Sequence, residues 1–275
     1  MSYVKTTCDL GGIIQVSKHY PGNFGAPGMP RGRRKERTPE EIEKANQRNR
    51  TRMLQRIILA NFREGRTVTL TYRPAERPET IEEAMEQRKR FMDRMRRVCG
   101  KAGIPWKWII VTERGKKGQV LHHHLIIEDR TDPVDILREV SRAWTFGRVQ
   151  STKMEMEDDM FMTLAEYLVK KETKGGRVKT YSRSRNLIVP EEKKEVIHAR
   201  KWNREPRAPK GWYVVPESVW NAHTPEGWPV QRYTLRKMED IVDNFKTGFR
   251  QRMSLFGRCS GGMRNEVLGG YLNKA

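Results

Sequence analysis

No run of about 18 apolar residues occurs in this 275-residue chain, so nothing in it reads as a membrane-spanning helix. Cysteine is scarce. Cys8, Cys99 and Cys259 are far apart and odd in number, which excludes a disulfide framework and a zinc knuckle and predicts a reducing, cytoplasmic setting in a bacterial host. The first residues, MSYVKTTCDLGG, lack the apolar core of a signal peptide, so no export is expected. The P-loop pattern is missing too, which excludes a fused helicase motor. Acid is in short supply, with 34 Asp and Glu against 55 Lys and Arg and a formal charge of +21. That surplus implies a polyanionic partner, most simply nucleic acid, and no membrane. Histidine is rare as well, yet three of the six stand together in LHHHLIIE, at His122, His123 and His124.

What is present alternates in type. Residues 20–37, rich in Gly, Pro and Arg, predict a flexible basic arm. Thr38, Pro39 and Glu41 then open a helix as N-cap, N1 and N3. RTVTLTY (66–72) alternates with period two, a strand. Residues 80–103 place Ile81, Ala84, Met85, Phe91, Met92, Met95 and Val98 at helical spacing. Strands over 106–113 and 119–127 flank the turn RGKKG. A helix over 132–144 is expected from Asp132 as cap and Pro133 at N1, then a strand over 147–154 and a helix over 158–172. The class is α+β, a ferredoxin-like β-α-β-β-α-β core with a central antiparallel sheet, helices on one face and one added helix. The expected division is a basic N-terminal arm and helix (1–59), the core domain (60–190) and a basic accessory C-terminal extension (191–275). In the extension, APKGWYVVPESVW and GWPVQRYTLRK read as extended segments.

Alternation along a strand puts His122 and His124 on one face and His123 on the other. If Gly115–Gly118 form the loop of the preceding hairpin, Glu113 pairs with Val120 and reaches His122 diagonally from the same face. An odd loop length would turn Glu113 away. Two imidazoles and a carboxylate suit a divalent metal such as Mn or Zn, and less naturally Mg alone, and leave positions open for substrate oxygens. The competing reading of each histidine is a satisfied core residue, which is the role expected of His123.

On the helix over 158–172, Phe161, Leu164, Ala165 and Leu168 form the apolar face and Tyr167 stands at its edge, with Thr163, Lys170 and Lys171 on its side. A phenol with a pKa of about 10 needs a nearby cation to become a nucleophile; the plainer reading is an interfacial tyrosine. Residues 170–185 hold seven Lys and Arg and one acid. Lys171, Lys174, Arg177, Lys179, Arg183 and Arg185 are candidate phosphate contacts, and Tyr181 a candidate base stacker.

Taken together, TVTLTY (67–72), LHHHLII (121–127), AEYLVKK (165–171) and YSRSRNLIVP (181–190) resemble the HUH endonuclease superfamily, and within it the rolling-circle replication initiators of phages and plasmids. The resemblance spans residues 60–190. It implies Glu113, His122 and His124 as metal ligands, Tyr167 as nucleophile and Lys170 as the lysine three residues on. His123 stands where that motif usually has a hydrophobic residue, and a single tyrosine lies on the helix. The implied reaction nicks and rejoins single-stranded DNA, or an origin hairpin, through a 5′-phosphotyrosine, freeing a 3′-OH for a host polymerase and helicase. A single-tyrosine transposase or relaxase would use the same chemistry; a non-catalytic, metal-stabilised DNA-binding protein would not.

Overall fold

The computed structural model describes residues 2–20, 38–115, 120–156, 160–169, 181–224 and 227–238. Between positions 65 and 153 strand and helix alternate as the hydrophobic periods require. β3 (Gly65–Leu70) leads to α2 (Ile81–Lys101), β4 (Trp108–Arg114), β5 (Leu121–Glu128), α3 (Ile136–Ala143) and β6 (Val149–Lys153). Every neighbouring pair is antiparallel, in the spatial order β6-β3-β5-β4. The short β7 (Ser182–Arg183) extends the β4 edge. β5, the strand of the three histidines, lies in the middle. The class is therefore α+β, with antiparallel sheets and four helices among the described residues.

Local signals explain where the helices start. Thr38 and Glu41 form a reciprocal capping box ahead of α1 (Pro39–Asn61), with Pro39 where its missing N–H costs nothing. The Thr80 side chain caps α2. For α3 the expected cap is corrected. Asp135, not Asp132, accepts from the Arg138 backbone N–H, at 3.0 Å, and the helix begins one turn later than Pro133 suggested.

The sheet is covered on both faces, which corrects the expectation of helices on one. Val68, Leu70, Ile110, Leu121, Leu125 and Ile127 pack against α2 and α3 through Ala84, Phe91, Met95, Ile136 and Val140. On the opposite face Ile109, Val111 and Ile126 meet α1 and α4 (Met162–Val169) through Leu54, Ile57, Ile58, Ala165 and Leu168. Leu54 to Leu59 are six consecutive buried residues, more than one helix face can supply. α1 is covered from two sides, because a second sheet lies beyond it.

That second sheet corrects another expectation. Residues 3–19, read as part of a basic arm, form a hairpin of β1 (Tyr3–Asp9) and β2 (Ile13–His19) around Gly11 and Gly12, both at positive φ. β1 also pairs with β8 (Glu192–Ile197), and β2 with β11 (Pro229–Lys237). β9 (Trp212–Val214) and β10 (Trp220–His223) complete six strands. The two ends of the described chain thus meet in one sheet, whose Cys8, Leu10 and Ile13 join the α1 cluster. The arm over 21–37 lies outside the described residues. No helix among those described is long and apolar enough to cross a membrane.

Candidate functional site

Side-chain alternation on β5 separates the three histidines. His123 faces α2 and α3 and is 0% exposed. Its Nε2 lies 2.7 Å from the Tyr72 hydroxyl and its Nδ1 2.8 Å from that of Thr112, so both ring nitrogens are satisfied. Burial, then the charges of Arg88, His122 and His124, push its pKa down to about 3, so the ring is neutral. The expected structural role of His123 matches this position.

His122 and His124 face the other way, towards α1 and α4, where Glu113 joins them. The register differs in detail from the one expected. Glu113 pairs directly with His122, and Arg114 with Leu121. The Gly115 N–H bonds the Val120 carbonyl at 2.8 Å, so β5 is shifted by two residues from the expected register. A shift of two preserves the face, and Glu113 is on the predicted side.

The three side chains converge. Glu113 Oε1 lies 3.2 Å from His122 Nε2 and 2.8 Å from His124 Nε2, and the two Nε2 atoms are 3.1 Å apart. They form the one group among the described residues with metal-ligand spacing. Atoms about 2.1 Å from a shared ion that subtend roughly right angles at it lie roughly 3 Å apart. The triangle therefore suits one face of an octahedron, with the opposite positions open. The rings are oriented for the task. His122 Nδ1 lies 3.2 Å from the Val120 carbonyl, which can only accept, so the proton sits on Nδ1 and Nε2 presents a lone pair. The Thr69 hydroxyl, 3.2 Å from His124 Nδ1, holds the orientation of the second ring. Burial raises the Glu113 pKa, but the close His122 and His124 rings and the Tyr167 hydroxyl outweigh it and hold the carboxyl well below its usual range.

Tyr167 reaches the same point from α4. Its hydroxyl hydrogen-bonds Glu113 Oε1 and lies 2.9 Å from His124 Nε2, and its ring meets that of His124 edge-on at 5.4 Å. Ala165, Leu168 and Val169 are buried, while Tyr167, at the edge of that face, stays 43% exposed. The chain enters α4 sharply. Met160 and Phe161 have φ of 51° and 62°, unusual for side chains of their size, and both are 5% exposed. The Gln55 amide of α1 donates to the Met160 carbonyl at 3.0 Å and accepts from Gln15 of β2 at 2.9 Å. The turn that aims Tyr167 is thus held by α1 and, through Gln15, by the second sheet.

Of the residues singled out from sequence, the structure brings together Glu113, His122, His124 and Tyr167. Lys170, Lys171, Lys174, Arg177 and Lys179 lie outside the described residues. Arg183, on β7, and Arg185 are exposed. Tyr181 is corrected: it packs half-buried against the α1 and α4 cluster rather than standing free to stack a base. Thr69, Tyr72, Thr112 and Gln55 were missed. Thr69 was within reach, since TVTLTY alternates and Thr69 pairs directly with His124. Nothing local marks Gln55.

Comparison with known proteins adds one match. Residues 65–174, which take in β3 to α4 and all four convergent side chains, match a family model described as replication-associated protein ORF2. No curated protein and no solved structure matches the chain.

Proposed function

We propose that this chain, a replication-associated protein by its family match over residues 65–174, starts rolling-circle replication by nicking and rejoining single-stranded DNA, with Tyr167 as its nucleophile. One observation carries the reading. The Tyr167 hydroxyl touches Glu113 Oε1 and His124 Nε2, two of the three atoms that would hold a metal. A phosphate brought to the open side of that triangle would meet ligand set and phenol together. The strand order β6-β3-β5-β4 supports a ferredoxin-like HUH arrangement, because it is the order of a split βαβ core with the histidine strand inside.

Glu113, His122 and His124 would hold a divalent ion, Mn or Mg, with Zn possible. When bound, such an ion supplies positive charge that polarises the scissile phosphate. Tyr167 Oη attacks phosphorus, the bond to the 3′ oxygen breaks, and the 5′ phosphate remains on the tyrosine. One proton leaves the phenol and one ends on the departing 3′ oxygen, so no water is consumed and the reverse step rejoins the strand. Thr69 and the Val120 carbonyl fix the imidazoles, while Gln55 holds the turn that aims the phenol. Lys170, three residues on in the sequence, is the cation proposed to assist the phenol. The freed 3′-OH would prime a host polymerase behind a host helicase, at an origin strand or hairpin in the bacterial cytoplasm.

The test is a covalent adduct. Incubated with single-stranded DNA and Mn or Mg, the protein is expected to yield a protein–DNA species that survives denaturation and carries its nucleotide on Tyr167 by peptide mass spectrometry. Tyr167→Phe keeps the ring and its packing, so it should fold and bind DNA yet give no adduct. An adduct formed by that variant, or a nucleotide mapped to another residue, overturns the proposal.

A further inference from the structure

We infer that the cationic surface where α1 meets the second sheet, away from the Tyr167 site, is a separate docking surface for the sugar–phosphate backbone of single-stranded DNA. The inference rests on the nucleic-acid reading above for its choice of ligand but not on the nicking chemistry. Strand pairing lines up one row of residues across five strands: Lys194 beside Thr6, Thr6 beside Ser17, Ser17 beside Arg232, and Arg232 beside Trp220. Directly paired residues share a face. Here it is the face of the adjacent row, where Cys8 and Gln15 meet α1. Cation, hydroxyl, hydroxyl, cation and indole thus follow one another across the sheet. In the next row of that face His19 pairs with Val4 and Val230.

α1 borders this row with a second line of cations. Arg48, Arg52 and Arg56 are spaced four apart, one turn each, on one side of the helix. Arg56 is buried, bonded to Gln15 at 2.7 Å and to Glu192 at 2.6 Å. Arg48, Arg52 and Arg232 make no ion pair among the described residues. The groups sense one another. Burial, then Arg232, Arg56 and Arg48, bring Arg52 down to about 10, so it remains a cation at neutral pH. Arg232 is lowered by burial, Arg48 and Arg56, and His19 by burial, Lys194 and Arg232. Among the described residues, Glu192 is the one carboxylate acting on Arg52 and Arg232. So many half-buried cations around one acid are stabilised by an arriving anion, which a fold held together by its own ion pairs would not need.

Trp220 decides between anions. It is 45% exposed, and the Arg232 guanidinium sits over its ring at 5.3 Å. A stacking ring beside phosphate-seeking cations is how proteins follow a single strand without reading its sequence. A second copy of this chain is a poor occupant, since each carries +21.

The experiment measures binding of a fluorescein-labelled, mixed-sequence single-stranded oligonucleotide by anisotropy over a range of salt. The double variant Arg52→Gln with Arg232→Gln is expected to bind at least about tenfold more weakly at low salt. Its log K against log salt slope should be smaller by about 1.4, two contacts at about 0.7 each. The charge-keeping pair Arg52→Lys with Arg232→Lys should keep the slope. Trp220→Leu should weaken binding about fivefold or more and leave the slope alone. Thermal melting without DNA should show the Gln variant no less stable than wild type, because it loses like-charge repulsion. An unchanged slope in a folded Gln variant overturns the docking surface, and adduct formation in the same sample leaves the nicking proposal standing. Normal slope changes without any wild-type adduct do the reverse. A binding defect confined to poly-glutamate would assign the surface to an acidic protein and overturn the inference.

Discussion

His123 and its two neighbours are the same residue type on consecutive positions of one strand, yet they live in different chemistry. His123 is closed in by Tyr72, Thr112, Trp144 and α2, with both nitrogens satisfied and its charge suppressed by burial. His122 and His124 have one nitrogen each tied to a threonine or a carbonyl, and their other nitrogens converge on a carboxylate. A hydroxyl paired with Nδ1 occurs on both faces, from Thr112 to His123 and from Thr69 to His124. The difference is what the second nitrogen meets. On one face it is a phenol locked in the core; on the other it is Glu113, with a phenol on a helix edge open to solvent. Burial with complete pairing makes a structural histidine, and partial exposure with converging lone pairs makes a ligand.

The largest break in this contrast comes from deleting the ligands. Loss of a partner that merely supports a metal ligand costs about tenfold to a hundredfold, so His122→Ala or His124→Ala is expected to lower Mn affinity and adduct yield by at least about a hundredfold. Stability should change little, because both rings are partly exposed. Titration calorimetry with Mn and the adduct assay check it, and either variant retaining wild-type affinity would remove that ring from the ligand set.

How much of this was legible follows from the range of each signal. The parity of a strand is local, so LHHHLIIE alone separates His123 from its neighbours. Glu113's face was legible for the same reason, but its partner was not. The register, Arg114 against Leu121, depends on how the ends of the two strands pair. The apolar spacing of Phe161, Leu164, Ala165 and Leu168 placed Tyr167 at a helix edge, and packing against α1 then carried it to the histidines. The hairpin over 3–19 escaped notice although its Gly-Gly turn is plain. Its partners, β8 and β11, lie far along the chain, and no local pattern announces such pairings. The Gln55 contact with Met160 is of the same long-range kind.

A finer cut compares the two threonines. Thr69→Val and Thr112→Val delete the same hydroxyl beside the same imidazole nitrogen. Thr69→Val frees the His124 ring to turn, and Mn affinity is expected to fall about tenfold with little change in stability. Thr112→Val leaves His123 Nδ1 and the Arg88 guanidinium, 3.0 Å from the lost oxygen, without that partner, and should cost about 1–2 kcal/mol of unfolding free energy while Mn affinity holds. Urea denaturation and calorimetry on both variants separate the effects. Equal behaviour of the pair would erase the distinction between the faces.

The smallest effect on the chemistry is expected where the largest substitution is made, at His123. Alanine there removes a fully buried ring, leaves the Tyr72 and Thr112 hydroxyls facing an apolar gap, and opens a void beside Trp144. Two lost hydrogen bonds and the cavity together put the cost at about 2–4 kcal/mol of unfolding free energy. The ring points away from Glu113, His122 and His124, and β5 is held on both sides by β3 and β4, so the ligand triangle should persist in the molecules that stay folded. At a temperature and urea concentration where the variant is folded by circular dichroism, its Mn affinity and its adduct yield should match wild type. Loss of Mn binding in a folded His123→Ala protein would mean that the strand presents its histidines in the other register, with His123 inside the ligand set and the roles of the two faces exchanged.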